Sequence, residues 1–169
     1  STGERVSMAL LSMALHDLNC PSISLTGSQA GLLTNTDHRD AQIENIKPIR
    51  IEEAFSQNKV VVLAGFQGVN PDTKEITTLG RGGSDTTAVA MAAHFNAREC
   101  QILKDVDAVF SADPKLIKKA AALKELSYKQ LSDICFFGSQ VLHHKAAVLA
   151  EKQQVPLSIG HSMKDELGT

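Results

Sequence analysis

The run Lys59-Val60-Val61-Val62-Leu63-Ala64 constrains this chain more than any other stretch. It is continuously apolar and rich in β-branched residues. That is the pattern of a strand buried on both faces, as strands of parallel sheets are. Gly65-Phe66-Gln67-Gly68 follows at its carboxyl end. The chain has no Trp and a single Tyr, so its core must be built from Leu, Ile, Val and Ala.

Around that run, helical and extended patterns alternate. Residues 3–18 carry Val6, Leu10, Met13, Ala14 and Leu18 at helical spacing. Pro21 marks a break, and Pro21–Leu25 is predicted as a short strand. Thr26–Gly31 is predicted as a loop, Gln42–Ile46 as a strand and Ile51–Ser56 as a helix. Asn70-Pro71-Asp72-Thr73 is a turn. Ser84 is predicted to open a helix reaching about Phe95, followed by a strand over Glu99–Leu103 and a turn at Asp113-Pro114. Two helices, Ser127–Phe136 and Ser139–Gln153, and a last strand, Pro156–Ile159, complete the order. Such alternation predicts an α/β fold with a largely parallel sheet. A length of 169 residues suits one domain covering 1–169.

Bulk properties exclude several function classes. A net charge of −2 gives no electrostatic grip on nucleic acid or anionic membrane. Cys20, Cys100 and Cys135 are odd in number and lack C-x-x-C spacing. They read as buried free thiols in a reducing compartment. No signal peptide and no membrane-length apolar run is present, which predicts a cytoplasmic protein. The opening Ser1-Thr2-Gly3-Glu4, without an initiator Met, is expected to be processed or cut from a longer protein.

The segment with the clearest chemistry is Thr77-Thr78-Leu79-Gly80-Arg81-Gly82-Gly83-Ser84-Asp85. Its glycines permit positive φ and close approach of backbone to a ligand. Ser84 is placed to cap the following helix, whose amino end favours an anion. The spacing is neither a Walker A loop nor a G-x-G-x-x-G fingerprint. Arg81 adds a planar fork suited to a carboxylate or phosphate. Asp85, in the first turn, reads equally as a helix-dipole residue or a ligand contact. Ser1-x-x-Glu4 reads as a capping box.

Thr77–Asp85, continued by Thr86-Thr87-Ala88, resembles the signature of aspartokinases, members of the amino-acid kinase family. Other stretches agree in the same order: Gly3-Glu4-Arg5-Val6-Ser7, Leu25-Thr26-Gly27-Ser28-Gln29-Ala30-Gly31, Ala64-Gly65-Phe66-Gln67-Gly68, Asp105-Val106-Asp107 with Ala112-Asp113-Pro114, and Phe137-Gly138-Ser139-Gln140-Val141-Leu142-His143. The resemblance implies a three-layer αβα sandwich, a partial amino-acid kinase fold. It also implies ATP-dependent phosphorylation of the side-chain carboxylate of L-aspartate, the first step towards lysine, threonine and methionine. Arg81 would then grip the substrate α-carboxylate and Glu4 its ammonium. Phe66, Gly83, Ser84 and Asp85 would line the same pocket. Lys104, Asp105, Phe110, Lys115, Gln140 and Val141 would surround the nucleotide, with Mg2+ accompanying ATP.

Departures from the family pattern concentrate on the nucleotide side. Lys104 replaces a threonine, Ala108 a glycine, Phe110 a tyrosine, Lys115 an arginine, Gln140 a lysine and His144 a proline. The family's K-x-G-G-T/S loop, which carries its main phosphate-binding lysine, does not occur in the 169 residues. No catalytic residue is therefore assigned. The expectation is a fragment or a divergent paralogue, with little or no kinase activity by itself and possible self-association. The second reading is a non-catalytic nucleotide- or amino-acid-binding module of the same fold. A carbamate or acetylglutamate kinase relative is disfavoured by the Thr78–Asp85 wording.

No metal site is expected from side chains alone. Asp105, Asp107 and Asp113 do not follow EF-hand spacing. His143 and His144 are adjacent on a predicted helix and do not share a face, so one is expected to pack and the other to be solvated. Lys115, Lys118 and Lys119 read as a solvated basic face.

Overall fold

A computed structural model describes residues 2–139, 141–164 and 167–169. It divides the chain into two compact units, Ser1–Thr87 and Ala88–Thr169.

The first unit opens with helix α1, Thr2–Asp17, which packs on strands β1, Ser22–Leu25, and β4, Val60–Leu63. β1 and β4 are parallel, with Ser22 opposite Val60 and Leu25 opposite Leu63. Between them in sequence lie β2, Leu32–Thr34, β3, Ile43–Ile46, and helix α2, Ile49–Ser56. Strands β5, Gln67–Val69, and β6, Ile76–Thr78, follow. They complete a four-stranded sheet of order β3-β2-β5-β6. Its central pair, β2 and β5, is parallel, while both outer pairs are antiparallel. Leu25, Leu32, Ile51, Val62 and Leu79 form the apolar interior. A buried polar seam crosses it: Thr34 and Thr77 share a hydroxyl–hydroxyl hydrogen bond of 2.6 Å, and Asn70 donates to the Thr34 carbonyl.

Helix α3, Gly83–His94, begins in the first unit and ends in the second. The second unit contains β7, Cys100–Lys104, α4, Tyr128–Phe136, α5, His144–Gln153, and β8, Leu157–His161. β7 and β8 pair in parallel over five residues, from Cys100–Leu157 to Lys104–His161. Ile102, Val109, Leu131, Leu142, Ala146 and Ile159 lie at the centre of this core. Helix α4 is held by a capping box in which Ser127 accepts from the Gln130 N–H and Gln130 accepts from the Ser127 N–H.

The α/β class and its parallel pairing follow the sequence expectation, with local differences. The apolar positions of α1 point outward: Val6, Leu10 and Met13 are exposed, as is Leu18 just past its end, and within the helix only Ser12 is buried. The inner face makes polar contacts instead, with the Ser12 and Ser22 hydroxyls 2.8 Å apart. β4 is not buried on both faces. Of its residues only Val62 is buried: Val60 on the same face is exposed, and Val61 and Leu63 on the other are half-buried. Helix α5 starts at His144 rather than Ser139, since the His143 side chain accepts from the Lys145 N–H and caps it there. His144 packs edge-on against Phe136 and its Nδ1 lies 3.2 Å from the Ser132 carbonyl, so both histidines are engaged. Cys100 and Cys135 are buried free thiols, whereas Cys20 is only half-buried.

Candidate active site

The acid-substrate residues named above all fall in the first unit, and its strand ends bring several of them together. β4 ends at Leu63, and the chain turns through Gly65 and Phe66 into β5. Phe66 adopts φ of 72°, the left-handed region that a bulky side chain rarely occupies. Such a residue costs on the order of 1–3 kcal/mol and persists only where its surroundings hold it. Here both sides of its backbone are held: its N–H donates to the Thr87 hydroxyl at 3.1 Å, and its carbonyl accepts from the Leu79 N–H at 2.9 Å. The two partners flank the glycine-rich turn.

That turn uses its glycines for different purposes. Gly80 and Gly82 take positive φ, at 72° and 70°. Gly83 supplies space instead, since a Cβ there would lie 2.8 Å from the Phe66 ring and 3.2 Å from its Cα. Helix α3 therefore starts directly against Phe66. The Thr86 and Thr87 hydroxyls donate to the Gly82 and Gly83 carbonyls within the first turn. Ser84 lies inside that turn and is exposed, so it does not occupy the cap position expected of it: the helix begins one residue earlier, at Gly83. Arg81 is exposed at the tip of the turn and Asp85 is half-buried beside it. An exposed guanidinium beside a helix start is chemically suited to a carboxylate.

Glu4 stands in a different element, the first turn of α1. A hydrogen bond with its own backbone holds its carboxyl below the ordinary carboxylate range, which keeps it anionic. Ser1, the other half of the expected capping box, lies outside the described residues. Phe66 and Gly83 thus meet directly, and Ser84 lies against Gly65. Arg81 and Asp85 flank them in sequence, and Glu4 comes from α1.

The nucleotide residues fall in the second unit. Lys104 closes β7 and is half-buried, and Asp105 after it is exposed. Phe110 forms an antiparallel bridge with Ala122, flanked by hydrogen bonds from Ser111 N–H to the Ala121 carbonyl and from Leu123 N–H to the Val109 carbonyl. The connecting loop carries Lys115 on a turn in which Asp113 Oδ1 accepts from the Lys115 N–H. Val141 packs against the core, and Gln140 lies outside the described residues. Lys164 pairs with Asp107 at 2.7 Å, and that hydrogen bond holds the Asp107 carboxyl below its ordinary range.

Thr169 is a tie that local sequence reading does not find. Its hydroxyl accepts from the Val109 N–H at 2.9 Å and donates to the Leu123 carbonyl at 2.7 Å, binding both arms of the Phe110 hairpin. Thr87 and Leu79 were similarly silent. None stands out in composition, because each acts on a backbone group distant in sequence. A cleft of about 460 Å³ in this unit lies elsewhere, between Lys124, Leu126, Tyr128, Pro156, Leu157 and Thr169. Among the described residues no group of three His, Cys, Asp or Glu could hold a metal, so Asp105, Asp107 and Asp113 do not converge. No described helix is long and apolar enough to cross a membrane.

Parallel strands ending in glycine-bearing turns beside a helix start define an α/β domain, a class whose ligand sites commonly lie at the carboxyl ends of the strands. More narrowly, the chain belongs to the amino acid kinase family, whose model matches residues 1–161. It is 48% identical over all 169 residues to an aspartokinase of Geobacillus stearothermophilus, and 44% identical to one of Corynebacterium glutamicum. The chain spans 41% and 40% of the length of those two relatives. Among solved structures, aspartate kinase from Synechocystis superposes with a TM-score of 0.83 at 43% identity, over 100% of this chain and 27% of that one. E. coli aspartokinase III, in complex with aspartate and ADP, gives 0.86 at 25% identity, over 95% of this chain and 36% of that one.

Proposed function

We propose that this chain is the aspartate- and nucleotide-binding part of an aspartate kinase, which transfers the γ-phosphoryl group of ATP to the side-chain carboxylate of L-aspartate. The observation that carries the reading is the left-handed Phe66, clamped between Leu79 and Thr87 and seated on Gly83, two residues after Arg81. A strained backbone maintained by dedicated hydrogen bonds supports a preorganised pocket. Arg81 takes the α-carboxylate as a planar fork, and Glu4, anionic at neutral pH, takes the ammonium. Phe66, Gly83, Ser84 and Asp85 form the wall between them.

Phosphoryl transfer asks the protein for positioning and charge neutralisation rather than covalent chemistry. Lys104, Asp105, Phe110, Lys115, Gln140 and Val141 hold the nucleotide, which arrives with Mg2+ carried on its phosphates. The reaction opens the route to lysine, threonine and methionine. With no K-x-G-G-T/S lysine among its 169 residues, the chain alone turns over little or not at all, because losing such a stabiliser costs about 100- to 1,000-fold in rate.

Calorimetric titration with L-aspartate and with MgATP, beside an ADP-release assay, tests this. Saturable binding of both ligands with negligible turnover is the expected result. No aspartate binding would overturn the reading. Aspartate binding without MgATP binding would favour a non-catalytic amino-acid-binding module, a reading supported by Gln140 standing where the family has a lysine.

A further inference from the structure

Glu4 and Phe66 are each followed by a residue with no assigned role, Arg5 and Gln67. These two meet although they are 62 positions apart. Arg5 Nε and Nη2 both donate to Gln67 Oε1, at 3.2 and 3.0 Å. Guanidinium is donor-only, so this contact settles which end of the Gln67 amide is oxygen. Gln67 is fully buried, and its remaining atom, Nε2, has no hydrogen-bond partner among the described residues. A buried amide with an orphaned donor is unfavourable in a core, and an apolar residue of similar size would fit there at less cost. Its presence points to a task for the other end.

The rest of Gln67 is equally constrained. Its backbone pairs with Thr78 across β5–β6. Its carbonyl lies against Gly27, where any Cβ would collide with it. Gln67 is thus a fixed point inside the first unit. Arg5 ties to it the first turn of α1, a part of a helix that otherwise frays.

We infer that Arg5 and Gln67 form a positioning pair that sets the separation between the Glu4 carboxylate and the Phe66 wall, and so fits the pocket to the ammonium of a short acidic amino acid. The inference rests on the pocket assignment made above. Neither residue need touch the substrate. Arg5 orients the turn that carries Glu4, and Gln67 anchors it to the strand end that Phe66 begins.

The test uses the full 169-residue chain with R5M, Q67M, the double variant and Q67E. Q67M removes the acceptor while nearly keeping volume. Q67E keeps an acceptor for Arg5 and discards Nε2. L-Aspartate and MgATP affinities are measured by calorimetry, and amide hydrogen exchange is followed over residues 3–6 and 64–69. R5M and Q67M should each weaken aspartate binding about tenfold, with the double variant no worse than either, as coupled residues behave. MgATP affinity should be unmoved and Q67E should stay within about threefold of the parent. Exchange over both segments should accelerate in R5M and Q67M alike. Additive losses, a Q67E as weak as Q67M, or unchanged exchange would each overturn the pair. If the parent chain binds no aspartate, the pocket assignment fails, and the exchange measurement still decides whether Arg5 and Gln67 hold the two segments together.

Discussion

The glycine-rich turn of the first unit and the Phe110 hairpin of the second are both segments of irregular backbone beside a strand end, held in opposite ways. The turn is locked by contact: Gly83 presses on Phe66, and the Phe66 backbone is bonded on both sides. The loop of residues 111–119 is exposed throughout, and the hairpin beneath it is held by a few backbone hydrogen bonds and tied to the rest of its unit by the Thr169 hydroxyl. A pocket for a small, fully specified acid gains from rigidity, because misplacement of its groups is costly. An exposed loop with so few ties belongs at the less stable end of the structure.

The largest effect separating the two should come from Gly83→Ala. The added methyl meets the Phe66 ring and Cα, so the helix start or the strained residue must move. We expect a loss of about 3 kcal/mol in urea-induced unfolding, with aspartate binding abolished. Full aspartate affinity in this variant would show that the contact is slack. Thr169→Val should be smaller, about 1–2 kcal/mol, because it strands the Val109 N–H and the Leu123 carbonyl. Its signature is local: faster tryptic cleavage after Lys115, Lys118 and Lys119, with cleavage after Lys59 unchanged. Equal acceleration at both places would mean that Thr169 supports the whole chain and not the hairpin.

The smallest effect concerns Asp107 and Lys164. The Asp107 carboxyl is held below its ordinary value by Lys164, so its folded value is depressed. Its contribution is present above the unfolded carboxylate value, near pH 4, and disappears as pH falls through the lower folded value. Asp107→Asn should flatten that acid limb of stability slightly, in denaturation followed from pH 6 to pH 2. Because the pair is exposed, salt should have the same flattening effect.

Much of this was legible in the chain because local patterns carry it. Pro21 and the small residues at Thr26–Gly31 bracket β1, and the helix expected over Ser127–Phe136 forms as α4. The glycine-rich segment was legible as a turn opening a helix for the same reason. β2 and β5 escaped notice: each is three residues long, and their parallel pairing rests on the one register pair Leu33–Val69. The outward apolar stripe of α1 misled in a different way. Periodicity states that a helix has a distinctive face, not which face is packed, and here Ser12 and Ser22 form the packed side.

The sequence by itself determined the α/β order, the family and the residue types at the candidate site, since these depend on spacing along a short stretch of chain. Tertiary structure alone decided that Gly83 serves as space for Phe66, that Thr87 and Leu79 hold a strained backbone, and that Arg5 reaches Gln67 across 62 positions. Those are contacts between segments distant in sequence, and no local propensity encodes a distance between two parts of a chain that only folding brings together.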